Sequence, residues 1–304
     1  LAGRPDLLAV WSDPEEEGVR SRTPVAKLGG AGLALAALAT GVRLGGSDAG
    51  TAEPEIETMR GIARFVCFMQ QPNGAFHARY DDEQGYVPNA ESLYFPGEAI
   101  LGLTMLYELD PDERWRQAAV RGVAYLVESR RGASTLPNDH WLMIATARLL
   151  RHHTDASPVT RAEMLAHAIE LGRTMMREQA EVRATRPEPE LSGAFDAEGI
   201  ATTTSTRLEG LLALERALAR TPEHQGVREE VRASIELGAA FLRRAQLRAG
   251  PLRGGFPHAP LVAARADTSD ASTGAHVARA AREVRIDYVQ HALSALIGYA
   301  ALAP

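Results

Sequence analysis

Apolar residues recur at spacings of three and four along almost the whole chain, and no long segment alternates with the period of two that a half-buried strand requires. A chain patterned this way folds as packed helices. The predicted helices are of two kinds. Segments 57–71, 113–129, 161–180 and 228–248 are amphipathic, with an Arg- and Glu-rich face for solvent and an apolar face for a core. Segments 24–39, 94–109, 139–150, 204–219 and 286–302 are rich in Ala, Gly and Leu and carry few charges after their first turn. Helices that are apolar around most of their circumference belong in an interior. The two kinds alternate along the sequence, inner then outer, which is the pattern of helical hairpins with one layer wrapped around another.

A repeated turn accompanies the outer helices. Three of them end in a glutamine that is followed, after a variable loop, by Gly-Ala-Phe or Gly-Gly-Phe: FMQQPNGAF up to Phe76, MMREQ leading to SGAF at Phe195, and FLRRAQ leading to RGGF at Phe256. The glycines (Gly74, Gly193 and Gly255) permit a tight backbone turn, and the phenylalanine pins the loop onto the helix ends. Units of this size cannot bury their apolar faces alone and stack on their neighbours.

These glutamine–glycine–aromatic turns resemble those of terpenoid cyclases and protein prenyltransferases. The alternating layers are similar to those of six-hairpin glycosidases, polysaccharide lyases and sugar epimerases. The resemblance implies an all-α chain folded as an α/α toroid, a double-layered barrel of helical hairpins over 24–304. Residues 1–23, with their PEEEG run, read as an N-terminal extension or linker, and the first hairpin is incomplete. Prenyltransferase and lanthionine-cyclase activities are not expected, because Cys67 is the only cysteine and falls on an outer helix. Terpene cyclisation is not expected either, because Asp81-Asp82 lies in a loop rather than within a DDxxD or DxDD run on an inner helix.

Bulk properties narrow the partners. A formal net charge of -6 offers no basic footprint for phosphates, so a nucleic-acid partner is not expected. The most apolar run, Leu28 to Leu38, falls short of the roughly 20 residues a membrane span needs, so no membrane insertion is expected and a cytoplasmic location is slightly favoured. A single cysteine excludes an intrachain disulfide framework and a cysteine-cluster zinc site. The chain opens on Leu1 rather than Met, which suggests a processed or truncated start.

Aligning the inner helices by their apolar runs brings polar residues into register. One position reads Gly30, Glu98, His140, Glu209 and His291, and about one turn earlier stand Lys27, Tyr94, Thr206 and Asp287. Residues three or four apart share a helix face, so Asp287 and His291 are expected to look the same way, as are Lys27 and Gly30. All lie near predicted helix starts, where partial positive charge favours carboxylates and anionic ligands. The ring therefore supplies Glu98, Asp139, His140, Glu209, Asp287 and His291 as candidate catalytic groups. Lys27, Tyr94, Trp141, Arg207 and Tyr288 are candidate substrate-binding groups.

Each of these has a plainer reading beside the functional one. Asp139 follows Pro137 and Asn138 as an ordinary helix cap, Glu98 can be a first-turn dipole partner, Asp287 can simply hold His291, and Arg207 can pair with Glu209. Two chemistries fit the functional reading. Paired carboxylates such as Glu98 and Glu209, with Asp139 as a rival, suit glycoside hydrolysis. Histidine with tyrosine suits a lyase or epimerase that removes a proton alpha to a uronate carboxylate; His140 or His291 is then the base, Tyr94 or Tyr288 the relay, and Lys27 or Arg207 the clamp. The expected ligand in either case is a saccharide or glycoconjugate. No cofactor is expected and no metal site is assigned, the weaker metal option being Asp287, His291 and His140. The alternative to an enzyme is a non-catalytic ligand-binding or accessory toroid of a larger protein.

Overall fold

The computed structural model describes residues 1, 3–12, 23–45, 53–154, 157–260 and 279–302. The chain is predominantly helical, and nine α-helices among the described residues fall on segments that the apolar periodicity marks out. They are α1 (Leu28–Leu44), α2 (Glu53–Phe68), α3 (Phe95–Tyr107), α4 (Glu113–Ser129), α5 (His140–Leu149), α6 (Arg161–Thr185), α7 (Ala201–Leu218), α8 (Gln225–Ala245) and α9 (Ile286–Ala300). No helix among the described residues is long and apolar enough to cross a membrane.

The periodicity does not reveal a small antiparallel sheet, β1 (Trp11–Ser12), β2 (Val25–Lys27), β3 (Arg79–Asp81) and β4 (Gly85–Tyr86), paired in that order. Strands of two or three residues are too short to display an alternation. One consequence is a correction to the first inner helix. Val25–Lys27 is extended and pairs with β3, placing Lys27 opposite Arg79. Lys27 is thus on a strand that leads into α1, and the helical spacing between Lys27 and Gly30 does not apply.

The chain divides into two compact units, Leu1–Ser134 with Trp141–Ala168, and Thr135–His140 with Ile169–Pro304. In the first, α3 packs against α1, α2 and α4 and is buried continuously from Gly97 to Leu106. The contact with α1 is backbone to backbone. A Cβ added to Gly32 would lie 2.4 Å from the Glu98 carbonyl oxygen, and one added to Gly102 would lie 2.4 Å from that of Gly32. Small residues in the apolar run of α1 are thus a close-packing device. The outer helix α2 buries Met59, Ile62, Phe65 and Val66, a single helical face. α4 is capped by Asp112, whose carboxylate accepts a hydrogen bond from the Arg114 backbone N–H at 2.9 Å.

In the second unit α7 packs against α8 and α9. α7 is buried nearly all round from Thr204 to Glu215, whereas α8 buries one stripe that includes Val231, Ile235, Gly238 and Leu242. α9 departs from the all-round burial expected of an inner helix. Tyr288, Ala292, Ala295 and Gly298 face inward, while Leu293 and Ile297 remain 54% and 61% exposed.

Two of the repeated glutamines, Gln70 and Gln179, are inter-helix locks. The Gln70 side-chain amide donates to the Gly74 carbonyl (3.2 Å) and to the Ala118 carbonyl of α4 (2.9 Å). Gln179 donates likewise to Gly193 (3.0 Å) and to Ser234 of α8 (3.2 Å), and its own carbonyl accepts from the Ser234 hydroxyl (2.7 Å). Gln246 donates to Gly254 at 3.1 Å. The turn glycines Gly74, Gly193 and Gly254 have φ of +95°, +88° and +92°. In the third repeat the left-handed residue is therefore Gly254, one position before the expected Gly255. Gln179 also does not end its helix, because α6 runs on to Thr185.

Candidate functional site

Three members of the aligned ring meet within the second unit: His140, Glu209 and His291. His140 is the first residue of α5, Glu209 sits in the third turn of α7, and His291 sits in the second turn of α9. The Glu209 carboxylate oxygen Oε2 lies 2.7 Å from His291 Nδ1 and 4.0 Å from His140 Nε2. The two imidazoles stand edge to face, with ring centroids 5.7 Å apart. One nitrogen or oxygen atom from each of the three residues falls within 4.8 Å of the other two. His140 and Glu209 are buried, at 2% and 8% exposure, while the His291 side chain retains 15%.

The local folding explains the meeting. α7 and α9 are neighbours, and Glu209 occupies a stretch of α7 in which Leu208, Leu211 and Leu212 are all buried. A carboxylate in such a place is retained only with polar partners. His291 supplies one of them. Burial pushes the His140 imidazole down to about 3, with the nearby His291 and Arg207 adding to the effect, so His140 is neutral at physiological pH.

The helix-start argument does not extend to Glu209. α7 begins at Ala201, three residues before the expected start, which puts Glu209 two turns inside the helix and away from the positive end of its dipole. The expected Arg207–Glu209 pairing is replaced by another. Arg207 Nε lies 3.6 Å from Glu178 on α6, and the same Glu178 accepts from the Asn138 side-chain amide at 2.7 Å. Glu178 was missed by sequence reading because it lies on an amphipathic outer helix, where a charge ordinarily faces solvent.

Asp287 is not part of the cluster. It pairs with Arg285 at 3.0 Å on the exposed side of the α9 start, so the anion that orients His291 is Glu209 from a different helix rather than the residue one turn earlier. Tyr288 is buried; its hydroxyl donates to Glu283 at 3.4 Å, and its ring lies 5.4 Å from that of His258 and 5.2 Å from the Arg285 guanidinium. His258, a loop histidine whose sequence setting predicts a solvated surface position, is thus half-buried. Asp139 is fully buried immediately before α5.

Glu98, Tyr94, Trp141 and Lys27 belong to the first unit. Glu98 is buried against the start of α1, where a Cβ on Gly29 would lie within 2.1 Å of its carboxylate. Tyr94 is the residue preceding α3, Trp141 packs its backbone against Gly97, and Lys27 closes β2. His276, a loop histidine expected from the sequence to be solvated, lies outside the described residues. No protein-family model matches the chain, and a search of curated proteins finds no match.

Proposed function

We propose that this chain is a carbohydrate-active enzyme built as an α/α toroid, a lyase or epimerase that moves the proton alpha to the carboxylate of a uronate-containing saccharide. The observation that carries this reading is the buried Glu209 carboxylate within hydrogen-bond distance of His291 and close to a second imidazole, His140. The Glu209 side chain accepts the Nδ1–H of His291, which fixes the tautomer and leaves Nε2 as the basic nitrogen. His291 Nε2 then takes the alpha proton, and the resulting imidazolium is stabilised by Glu209. The Arg207 guanidinium supplies positive charge for the substrate carboxylate, and neutral His140 hydrogen-bonds a substrate oxygen as charge develops on it. Hydrolysis would instead need two carboxylates facing one glycosidic bond. The described contacts bring one carboxylate to two imidazoles, which favours proton transfer.

The test is exchange of the alpha proton. Wild-type protein incubated in D2O with a panel of uronate-containing oligosaccharides is expected to introduce deuterium or to form an unsaturated product. Glu209→Gln and His291→Ala are each expected to slow this by about a hundredfold or more. If the wild type neither exchanges nor eliminates, yet binds such saccharides as well as Glu209→Gln does, the toroid is a binding domain and this reading fails.

A further inference from the structure

The same three side chains have the composition and spacing of a transition-metal site. We infer that His140, Glu209 and His291 bind a divalent ion of the zinc class, with an open fourth position for a ligand oxygen. Imidazole and carboxylate together suit zinc and its borderline neighbours rather than calcium or magnesium, which prefer all-oxygen cages. Three protein ligands with one position left open is the arrangement of catalytic rather than structural zinc.

The geometry requires little movement. Bonds of about 2.0–2.1 Å in a tetrahedron put neighbouring ligand atoms roughly 3.3 Å apart. Here the Glu209–His291 pair stands at 2.7 Å and the Glu209–His140 pair at 4.0 Å, and all three atoms lie within 4.8 Å of one another. One distance must open by about half an ångström and the others close, a change small side-chain rotations supply. The three ligands come from the starts or early turns of α5 and α9 and from the middle of α7, so rigid elements set their positions. Burial removes the competing water that keeps exposed acidic clusters from holding an ion. The nearby cation Arg207 is partly offset by Glu178 at 3.6 Å.

A bound ion changes the chemistry of the site. The hydrogen bond between Glu209 and His291 gives way to two metal bonds, and the open position can take a carboxylate or carbonyl oxygen of a ligand. The ion would then polarise that oxygen and stabilise the charge that builds on it. This inference rests on the cluster of the preceding section but not on its saccharide assignment, and its readout needs no substrate.

The experiment is titration of chelator-stripped, tag-free protein with Zn2+ by calorimetry and with Co2+ by visible absorption. The expected result is one ion per chain, a d–d spectrum of four- or five-coordinate cobalt, and affinity weakened at least about a hundredfold in each of Glu209→Gln, His140→Ala and His291→Ala. Circular dichroism identifies any variant that does not fold. The more conservative His291→Gln serves where His291→Ala fails, because glutamine fills the volume but is a poor ligand. Stoichiometric binding that survives both Glu209→Gln and His291→Gln overturns the inference, as does binding no tighter than millimolar in the wild type. Metal binding without saccharide turnover would leave this site standing and remove the lyase or epimerase reading. Turnover that resists chelation, with no metal bound, would do the reverse.

Discussion

Replacing Gln179 with methionine should cost the second unit about 3 kcal/mol. Methionine nearly matches glutamine in length and volume, so the substitution isolates the polar contacts. Gln179 is 5% exposed and makes three hydrogen bonds, to the Gly193 carbonyl, the Ser234 carbonyl and the Ser234 hydroxyl. A typical intramolecular hydrogen bond contributes about 1 kcal/mol net, and partners left buried and unsatisfied push the cost towards the upper part of that range. Gln246 makes one described contact of this kind, at 3.1 Å to Gly254, so Gln246→Met should cost about 1 kcal/mol. Gln70 lies between them: it has two donated bonds and accepts from Arg121, but it is only half-buried and that arginine is exposed. Urea unfolding followed by circular dichroism measures all three against wild type, with midpoints falling in the order Gln179, Gln70, Gln246 from the largest drop to the smallest. A Gln179→Met protein within about 0.5 kcal/mol of wild type would refute the reasoning. It would mean that the repeated glutamine marks the turns without holding the helices together.

Other perturbations follow from the same contacts. Gly193→Ala should cost well above 2 kcal/mol, because φ is +88° and the added Cβ would meet the Leu237 carbonyl oxygen at 2.0 Å; Gly132→Ala, with φ of +77° and nothing within 4 Å, should cost only about 1 kcal/mol, and comparable losses in unfolding free energy at the two sites would contradict this. Gly32→Ala should destabilise the first unit by about 1–3 kcal/mol, measured the same way, since its Cβ would lie 2.4 Å from the Glu98 carbonyl on α3. Burial alone raises the Glu108 carboxyl, but hydrogen bonds from Arg148 (3.0 Å), His152 (2.9 Å) and Arg43 outweigh it and hold the group at about 2, against 4.5 when unfolded. A depressed folded value gives stability that is present above about pH 4.5 and is lost as pH falls towards 2, up to about 3 kcal/mol, so the stability gap between wild type and Glu108→Gln should shrink across that window in pH-dependent urea titrations.

The elements that sequence reading located are those whose signal is periodic. α4, with an acidic cap at Asp112 and a clean amphipathic stripe, was located to the residue, and α3 and α9 to within about two. The failures are local and share one cause. Val25–Lys27 carries an apolar-polar rhythm that continues smoothly into α1, yet it is extended because β3 offers it backbone partners from more than fifty residues away. The missing start of α7 is of the opposite kind. Thr202 to Thr204 are poor helix formers in isolation, but the tertiary setting keeps Ala201, Thr204 and Ser205 buried as helix, and the Ser205 hydroxyl bonds back to the Ala201 carbonyl at 2.7 Å.

The candidate site was half legible for a related reason. Aligning helices by their apolar runs finds residues at a common depth, and depth is what brings His140, Glu209 and His291 together from three helices. It says nothing of azimuth, the direction in which each residue leaves its helix axis. Asp287 shares the helical spacing of His291, but as a first-turn residue beside Arg285 it has an exposed partner within 3.0 Å and takes it, leaving His291 to the buried Glu209. A residue near a chain terminus of a helix can choose water or a neighbour, whereas one in the middle of a buried helix must find its partner inside. Glu209, two turns into α7 in a stretch of buried leucines, had no such choice, which is why its contact with a histidine is the most informative in the ring. The same reasoning ranks the sequence-derived candidates: a carboxylate deep in an apolar helix constrains its surroundings more than one at a cap. Glu98 of the first unit does not meet that criterion, since it stands in the first turn of α3, although it is buried at 7% against the start of α1. Glu209→Gln should therefore separate from Asp287→Asn in any functional assay, the first changing activity or ligand affinity and the second leaving both within about twofold of wild type.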